Sequence, residues 1–358
     1  MSGTDGGRRA YLGSYTSAGG RGITTAAVDP DTGALTVLGH TDAVADPSYL
    51  ALGPGAGMLY AVSETEDGRA AALSLADPDR PVPAGPAVSV GGAGPTHLTC
   101  AAGQLITANY TSGSVSCLPL RPDGALGAQP AVLPHEGSGP VRERQEGPHA
   151  HAVVADASWR WLLAVDLGAD AVWVYRLDHA GAAPRHHART PLRPGSGPRH
   201  LAFHPRGDRA YVINELDSTV TCCRWDRETG TLEPAGTVGT LPADAGGAGD
   251  TGGGAKENYP SELVISADGR WAWAANRGHD SIAVLALDPD GEGMEPVTTV
   301  PCGGHWPRDL ALDPAGRRLY AANERSGDVT WFDLDPDTGV PHRAGSVGVP
   351  AATCVVFG

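Results

Sequence analysis

Residues 198–215, PRHLAFHPRGDRAYVINE, contain the two motifs that decide the fold of this chain. The first motif is a proline followed by a polar residue and an apolar alternation, here Pro198-Arg199-His200-Leu201. The second is a short apolar segment that ends in polar residues, here Ala210-Tyr211-Val212-Ile213-Asn214-Glu215. The turn Arg206-Gly207-Asp208 lies between them. Two apolar segments joined by such a turn predict a β-hairpin.

Both motifs recur along almost the whole chain. The first is found at Pro47-Ser48-Tyr49-Leu50, Pro95-Thr96-His97-Leu98, Pro148-His149-Ala150-His151, Pro260-Ser261-Glu262-Leu263 and Pro307-Arg308-Asp309-Leu310, with a weaker copy that begins at Pro350. Successive prolines are 48, 53, 50, 62, 47 and 43 residues apart. The second motif returns at residues 59–64, 273–277 and 319–324. A repeat of about 50 residues is typical of the blades of a β-propeller.

Further strands complete each repeat and indicate how the ring closes. Residues 328–333 alternate polar and apolar side chains, and residues 281–287 form a more continuous apolar strand. The chain starts with a second-strand motif at residues 11–16 and ends with a first-strand motif at residues 353–357. We therefore predict an all-β, seven-bladed β-propeller with four antiparallel strands per blade and one blade closed by strands from both termini. This closure favours a ring over an open β-solenoid.

The prediction assigns residues 1–358 to this single domain, with one unusual segment. The step of 62 residues contains a Gly/Ala-rich stretch at residues 243–256, which has too few apolar side chains to pack. We predict a flexible loop there, and the sequence leaves open whether it is a surface insertion or a lid over one mouth of the channel.

Composition excludes several classes of function. The chain has 26 Lys and Arg against 41 Asp and Glu, a net charge of −15, and Lys256 is its only lysine, so nucleic-acid binding is not expected. The 50 glycines and 30 prolines disfavour long helices, and no apolar run approaches the ~18–20 residues that span a bilayer. The first nine residues lack the apolar core of a signal peptide. The six cysteines form no CxxC pair, so we expect a cytoplasmic location, no disulfide framework and no zinc site.

Several polar residues are not required by the repeat itself. They occur where sevenfold geometry brings loops and strand ends toward the axis: His149, His151 and Arg199 in the first motif, Glu215 and Arg277 in the second. Two arginines with histidine and a carboxylate suit a substrate that carries a carboxyl or phosphate group. Histidine and glutamate can move protons while arginine stabilises an oxyanion. The recurring residues Asn109, Asn214, Asn276 and Asn323 are more typical of turns.

With these residues in view, the sequence resembles the seven-bladed propeller lactonases, which include bacterial 6-phosphogluconolactonases and the fungal carboxy-muconate lactonising enzyme. The resemblance covers nearly the full chain and is most specific in four stretches: Glu146-Gly147-Pro148-His149, residues 197–205, Asn214-Glu215-Leu216 and residues 275–282. It implies a catalytic set on His149 or His151, Arg199, Glu215 and Arg277, with no cofactor and no metal. Which histidine acts stays open.

The resemblance implies hydrolysis of a sugar lactone, with 6-phosphogluconolactone, of the pentose phosphate pathway of carbohydrate metabolism, as the leading substrate. In that interpretation the partner is a small anionic lactone or carboxylate, without nucleic acid or membrane, and the protein is a monomer or weak homo-oligomer. Three alternatives remain: a lactonising lyase or cyclase, a calcium-dependent lactonase that uses strand-end oxygens, and a non-catalytic binding platform.

Overall fold

The computed structural model describes residues 8–55, 57–178, 181–242, 257–289 and 293–358. Within these ranges the chain forms 29 β-strands and one short 3-10 helix, Thr16–Ala18. That helix is far too short to cross a membrane, and the described residues contain no other. The loop predicted at residues 243–256 lies outside the described residues.

The strands are numbered here in chain order. They are β1 Arg9–Ser14, β2 Ile23–Val28, β3 Leu35–Thr41, β4 Leu50–Leu52, β5 Met58–Ser63, β6 Arg69–Ser74, β7 Val82–Pro83, β8 Val88–Ser89, β9 Pro95–Ala101, β10 Gln104–Asn109, β11 Ser114–Pro119, β12 Ala131–Pro134, β13 Ala150–Ala155, β14 Trp161–Asp166, β15 Ala171–Arg176, β16 Arg185–Pro191, β17 Pro198–Phe203, β18 Arg209–Asn214, β19 Thr219–Asp226, β20 Thr231–Gly239, β21 Tyr259–Ile265, β22 Trp271–Arg277, β23 Ser281–Leu287, β24 Met294–Pro301, β25 Pro307–Leu312, β26 Arg318–Asn323, β27 Asp328–Leu334, β28 Pro341–Gly348 and β29 Ala352–Phe357.

Seven antiparallel sheets form a closed ring, which confirms the predicted propeller. Six sheets have four strands, and in the second sheet the outer position is divided between β7 and β8, both of which pair with β6. The first strands of successive sheets (β29, β4, β9, β13, β17, β21 and β25) contact one another in turn around the ring. They therefore line the central channel, as the sequence predicts for the strands that begin with the proline motif.

The termini close the ring inside one sheet, in the order β29-β1-β2-β3. The backbone groups of Arg9 and Gly358 exchange hydrogen bonds of 3.3 and 2.8 Å at the end of this pairing. The chain's last strand thus occupies the inner position that the N-terminal segment leaves empty. Pairing with β29 covers the edge of β1 that would otherwise be exposed, which is the expected advantage of closure.

The core lies between adjacent sheets and follows the period of two along each strand. In β14, Leu162 and Ala164 pack toward the preceding sheet, whereas Leu163 and Val165 pack toward the following one. Because both faces of every sheet are covered in the ring, the middle strands are apolar throughout rather than alternating with polar residues. This explains the continuous apolar segments of the second motif.

Strand pairing corrects one detail of the repeat. Pro198 lies opposite Asn214 and Pro307 opposite Asn323, each beside a bulge. In the fourth sheet, however, the residue opposite Asp166 at this position is Ala150. The proline motif at Pro148 is therefore two residues out of register, because Pro148 belongs to the preceding loop. The weaker copy at Pro350 is displaced in the same way, since Ala352 pairs with Ser14.

Candidate functional site

One mouth of the channel collects the ends of all the second strands and the beginnings of the first strands. At each second-strand end stands a residue that the repeat leaves free to vary: Tyr15, Glu64, Tyr110, Leu167, Glu215, Arg277 and Glu324. The bulge next to the opposite proline position brings the first-strand residues alongside them. Buried asparagines tie these ends to the third strands; Asn109, for example, donates to Ser114 and Ser116.

Three arginines converge on the carboxylate of Glu215. Arg144 donates to Oε1 at 2.5 Å, and Arg277 donates to Oε2 at 2.5 Å. The Nε atom of Arg199 lies 3.1 Å from Oε2, an ion-pair distance at an angle outside hydrogen-bond geometry. Arg199 is also anchored by a hydrogen bond from its guanidinium to the backbone oxygen of Ser261. We call Arg144, Arg199, Glu215 and Arg277 the Glu215 cluster.

The Glu215 cluster carries more positive than negative charge. Burial by itself would raise the pKa of Glu215, but the charges of Arg277, Arg199 and Arg144 lower it to about 2. Glu215 is therefore ionised at neutral pH and surrounded by guanidinium donors, which makes it a poor proton acceptor. Three positive charges against one negative charge leave a formal excess of two. Such an excess suits an anionic substrate or a developing oxyanion.

His149 joins the cluster through Tyr110. Its ring is stacked on the ring of Tyr110 with centroids 4.5 Å apart, and the Tyr110 hydroxyl accepts a hydrogen bond of 3.4 Å from Arg144. Nδ1 of His149 lies 2.9 Å from the carbonyl oxygen of Tyr110. Because a carbonyl only accepts, Nδ1 must carry the proton in the neutral ring, and Nε2 then presents a lone pair.

The backbone around His149 is fixed by a hydrogen bond to Asp166 and by close packing against Gly168. Its N–H donates to Asp166 at 2.8 Å. A Cβ atom added at Gly168 would lie 1.9 Å from the oxygen of Gly147 and 2.7 Å from Cδ2 of His149. Only glycine therefore allows this loop to approach the histidine so closely.

His151 lies deeper, at the repeat position that Arg199 occupies in its own sheet. Its ring is buried, with centroids 5.5 Å from Tyr110 and 5.1 Å from His200. Burial, followed by the charge of Arg199, lowers the pKa of His151 well below its usual range, so the ring is neutral. Its Nδ1 atom has no hydrogen-bond partner among the residues that the structure describes.

A second group of charged residues, outside the predicted catalytic set, lies at the same mouth. Arg308 pairs with Glu64 at 3.3 Å and with Glu324 at 3.8 Å. Tyr15 donates its hydroxyl proton to Glu64 at 2.8 Å, and the Arg308 guanidinium lies 5.0 Å from the centroid of its ring. We call Tyr15, Glu64, Arg308 and Glu324 the Arg308 cluster. One positive charge against two negative charges gives it a formal excess of minus one.

Below these clusters lies a buried layer formed by the next residues of the first strands. His200 contacts Glu262 at 2.6 Å between Nδ1 and Oε2. Burial raises the pKa of Glu262 to about 7, and it raises the pKa of the neighbouring Asp309 as well. Burial likewise lowers the pKa of His200. Burial in this layer thus favours the uncharged forms of the two carboxyl groups and of the imidazole.

The structure thus brings all five predicted site residues into one connected group. Arg199, Glu215 and Arg277 touch directly, His149 is linked through Tyr110 and Arg144, and His151 is linked through Tyr110. Comparing all seven repeats would also have found the residues that were missed at these positions. Tyr15, Glu64 and Tyr110 occupy the repeat position of Glu215, and Arg308 occupies that of Arg199. Arg144 lies in the non-repetitive stretch before β13 and carries no such signal.

The described residues contain no group of three or more His, Cys, Asp or Glu side chains with the geometry to hold a metal ion. The strand-end asparagines considered as calcium ligands instead bind hydroxyl groups of the third strands, for instance Asn323 with Thr330. The residues of the site are suited to binding anions.

Comparison with known proteins gives a consistent result. The sequence profile of the family "Lactonase, 7-bladed beta-propeller" matches residues 9–357. The 6-phosphogluconolactonase of Bacillus subtilis is 32% identical over 302 residues, which cover 83% of each chain. The periplasmic gluconolactonase of Pseudomonas aeruginosa has a solved structure that superposes with a TM-score of 0.88 at 31% identity, covering 98% of both chains. A Lactobacillus plantarum protein superposes with a TM-score of 0.89 at 30% identity, covering 98% of this chain and 99% of that one. This chain therefore belongs to the family of seven-bladed β-propeller lactonases.

Proposed function

We propose that this protein hydrolyses 6-phosphogluconolactone to the open acid without a cofactor, in the cytoplasm, as a step of the pentose phosphate pathway. The observation that carries the proposal is the Glu215 cluster, where three arginines share one carboxylate beside a histidine with a free Nε2. The name of the Bacillus subtilis relative supports the phosphorylated substrate.

We assign the general base to His149 rather than to Glu215. Glu215 is already saturated by guanidinium donors, with a pKa of about 2, and a base that weak accepts protons poorly at neutral pH. Nε2 of His149 is the unprotonated nitrogen, because Nδ1 donates to Tyr110. The nearest carboxylate to Nε2 is the exposed Glu146, at 3.8 Å. His149 is partly exposed, whereas His151 is buried. A water molecule therefore reaches His149 more easily.

In this mechanism water attacks the lactone carbonyl while Nε2 of His149 takes one of its protons. The carbonyl oxygen gains negative charge, which the excess positive charge of the Glu215 cluster stabilises. The tetrahedral intermediate collapses by breaking the bond between the carbonyl carbon and the ring oxygen. That oxygen takes the proton back from His149 and leaves as a hydroxyl group, and the product acid ionises in solution. Glu215 acts as a positioning residue that holds the arginines together.

The test is a direct assay of purified protein with 6-phosphogluconolactone and with an unsaturated dicarboxylate, each corrected for spontaneous reaction. We expect hydrolysis of the lactone and no conversion of the diacid. His149→Asn should lower kcat/KM at least ~10²-fold, as expected for loss of a general base, whereas His151→Asn should cost less. If the protein converts only the diacid, the proposed lactone hydrolysis is rejected in favour of the lyase or cyclase alternative. A larger loss in His151→Asn would move the base to that residue.

A further inference from the structure

Trp306 lies at the rim of the site, directly before the first strand of its sheet. It lies in the connection between β24 and β25 with φ of +64°, a region that bulky residues rarely adopt. Its N–H donates to Asp280 at 2.8 Å. The other oxygen of Asp280 lies 2.7 Å from Nδ1 of His305. The positive φ itself belongs to the repeat, and what distinguishes this position is its large aromatic side chain. The equivalent residues with positive φ in other sheets are Asp46, Gly94, Gly197 and Ala351.

Arg325 covers the indole ring of Trp306. Its guanidinium carbon lies only 3.3 Å from the ring centroid. The turn that carries Arg325 is attached to the Trp306 loop by backbone hydrogen bonds: Arg325 N–H donates to His305 oxygen, and Glu324 N–H donates to Trp306 oxygen at 3.0 Å. His305 N–H donates in return to the Ser326 hydroxyl at 2.8 Å. The position of Arg325 is therefore well fixed for an exposed arginine.

Arg325 differs from the other arginines of this mouth in having no carboxylate. Arg144, Arg277 and Arg308 each pair with a glutamate. Arg325 is exposed, and none of the acidic residues in the described ranges forms an ion pair with it. A planar guanidinium that lies on an aromatic ring keeps its N–H groups in the plane, directed outward for a ligand.

The indole ring connects this free arginine to the reacting centre. The guanidinium of Arg277 lies 5.7 Å from the same ring centroid, and it also donates to Glu215. The guanidinium carbons of Arg325 and Arg277 can therefore be no more than about 9 Å apart, the sum of their distances to the centroid. This is the scale of a six-carbon sugar phosphate. The mouth thus has one cationic group at the Glu215 cluster and a second, exposed one within this distance of it.

We propose that Arg325, supported by Trp306, is an outer subsite that binds the phosphate of a phosphorylated sugar lactone while the carbonyl lies at the Glu215 cluster. The proposal rests on the proposed function and adds a basis for its substrate class. A phosphate dianion is bound well by a fixed planar guanidinium. Arg308 is less suitable, because two glutamates already neutralise its charge. A lactone without phosphate would leave the outer subsite unused.

The test compares two substrates, 6-phosphogluconolactone and unphosphorylated gluconolactone, in the full-length protein. Arg325→Gln should lower kcat/KM for the phosphorylated lactone about tenfold, mainly through KM, and leave the value for gluconolactone unchanged. Arg325→Lys should recover part of the loss, because it restores the positive charge without the planar guanidinium. Because the subsite is exposed, the difference should shrink as salt is added.

Arg189→Gln is the matched control. Arg189 is also an exposed arginine stacked on a tryptophan, Trp173, at 4.8 Å, but it lies on the outer strand β16 of another sheet. The Arg189→Gln variant should leave kcat/KM unchanged for both lactones. Equal losses for both lactones in Arg325→Gln, or no loss for either, would overturn the subsite.

A measurement of binding separates this proposal from the proposed function. Calorimetric titration with 6-phosphogluconate should show weaker binding to Arg325→Gln than to the wild type, and gluconate should show no difference. If the wild type hydrolyses neither lactone, the proposed function fails while this titration still tests the subsite. Equal affinity of both proteins for 6-phosphogluconate would reject the subsite even where hydrolysis is normal.

Discussion

The Glu215 cluster and the Arg308 cluster begin from the same local chemistry and reach opposite net charges. In each, an arginine follows the proline of the first strand, and a glutamate follows the asparagine of the second: Arg199 with Glu215, Arg308 with Glu324. The difference comes from the neighbours. Arg277 and Arg144 join the first pair, whereas Glu64 and Tyr15 join the second.

This contrast shows how a repetitive fold confines anion binding to one side of its mouth. Each sheet offers the same two positions, so the local geometry is nearly constant around the ring. The identity of the residue that an adjacent sheet contributes then determines the sign of the local charge. The negative side has the additional effect of repelling an anion toward the Glu215 cluster.

The largest difference in kcat/KM between the two clusters should appear when the equivalent arginine of each is removed. Arg199→Ala should lower kcat/KM for the lactone by about 10²–10³-fold, because it removes positive charge at the oxyanion. Arg308→Ala should lower it no more than about tenfold, since that arginine serves mainly to neutralise Glu64 and Glu324. Steady-state kinetics with circular dichroism to verify folding measures both. Equal losses in the two variants would mean that the clusters do not differ in role.

A smaller loss, about 10- to 100-fold in kcat/KM, is expected for Glu215→Gln, because the arginines lose their common anchor. The acid limb of the pH–rate profile should stay in place, since the pKa of Glu215 is about 2 and the group stays ionised throughout the assay range. An acid limb that disappears in this variant would identify Glu215 as the base. That outcome would transfer the role that we assign to His149.

The same variant has a signature in stability. The pKa of Glu215 is lower in the folded protein than the ordinary 4.5, so its stabilising contribution is complete above pH 4.5 and is lost as the pH falls toward 2. Breaking a buried ion pair costs about 3 kcal/mol, so we expect a loss of that order at pH 7. The difference between wild type and Glu215→Gln in chemical denaturation should decrease below pH 4.5. A difference that is constant with pH would contradict the ion-pair description.

Gly168→Ala tests whether His149 functions with the Glu215 cluster without altering any reacting group. The added methyl group would collide with the Gly147 oxygen and the His149 ring, so the loop must shift. We expect kcat/KM to fall about tenfold through kcat, because a displacement of a base by a fraction of an ångström is costly. Gly348→Ala is the control, because the space around its Cβ position is open. Unchanged kinetics in Gly168→Ala would exclude His149 as the base.

Much of this arrangement could be predicted from the sequence because it repeats. The seven blades, the closure by both termini, and the positions of Arg199, Glu215 and Arg277 all follow from motifs that return about every 50 residues. The choice between His149 and His151 could not be made in this way. In the fourth sheet Pro148 belongs to the preceding loop, which displaces the proline motif by two residues, and only strand pairing reveals that shift.

The remaining residues depend on features outside the repeat. Arg144 reaches Glu215 because its loop is fixed by Gln145, which donates to the Leu167 oxygen at 2.8 Å and accepts from Val141 N–H at 3.1 Å. The repeat of about 50 residues does not predict the path of this loop. Trp306 is different, since its positive φ and its contact with Asp280 have a counterpart in another repeat, where Gly197 donates to Asp170. Arg144 is therefore determined by tertiary contacts that have no regular spacing, whereas at Trp306 only the aromatic side chain departs from the repeat.

The smallest effect on the kinetics should come from a substitution in the negatively charged Arg308 cluster. Glu64→Gln removes one negative charge from the Arg308 cluster, so Arg308 becomes less neutralised and the mouth less repulsive to anions. We expect KM for 6-phosphogluconolactone to fall about two- to threefold at low salt, with kcat nearly unchanged and the gain lost at high salt. Asp67→Asn, an exposed acidic residue three positions along the same loop, is the control and should leave KM within error. A rise in KM for Glu64→Gln would show that Glu64 contributes by holding Arg308 in place rather than by repelling anions, because the amide oxygen still accepts from Tyr15 but carries no charge for the ion pair.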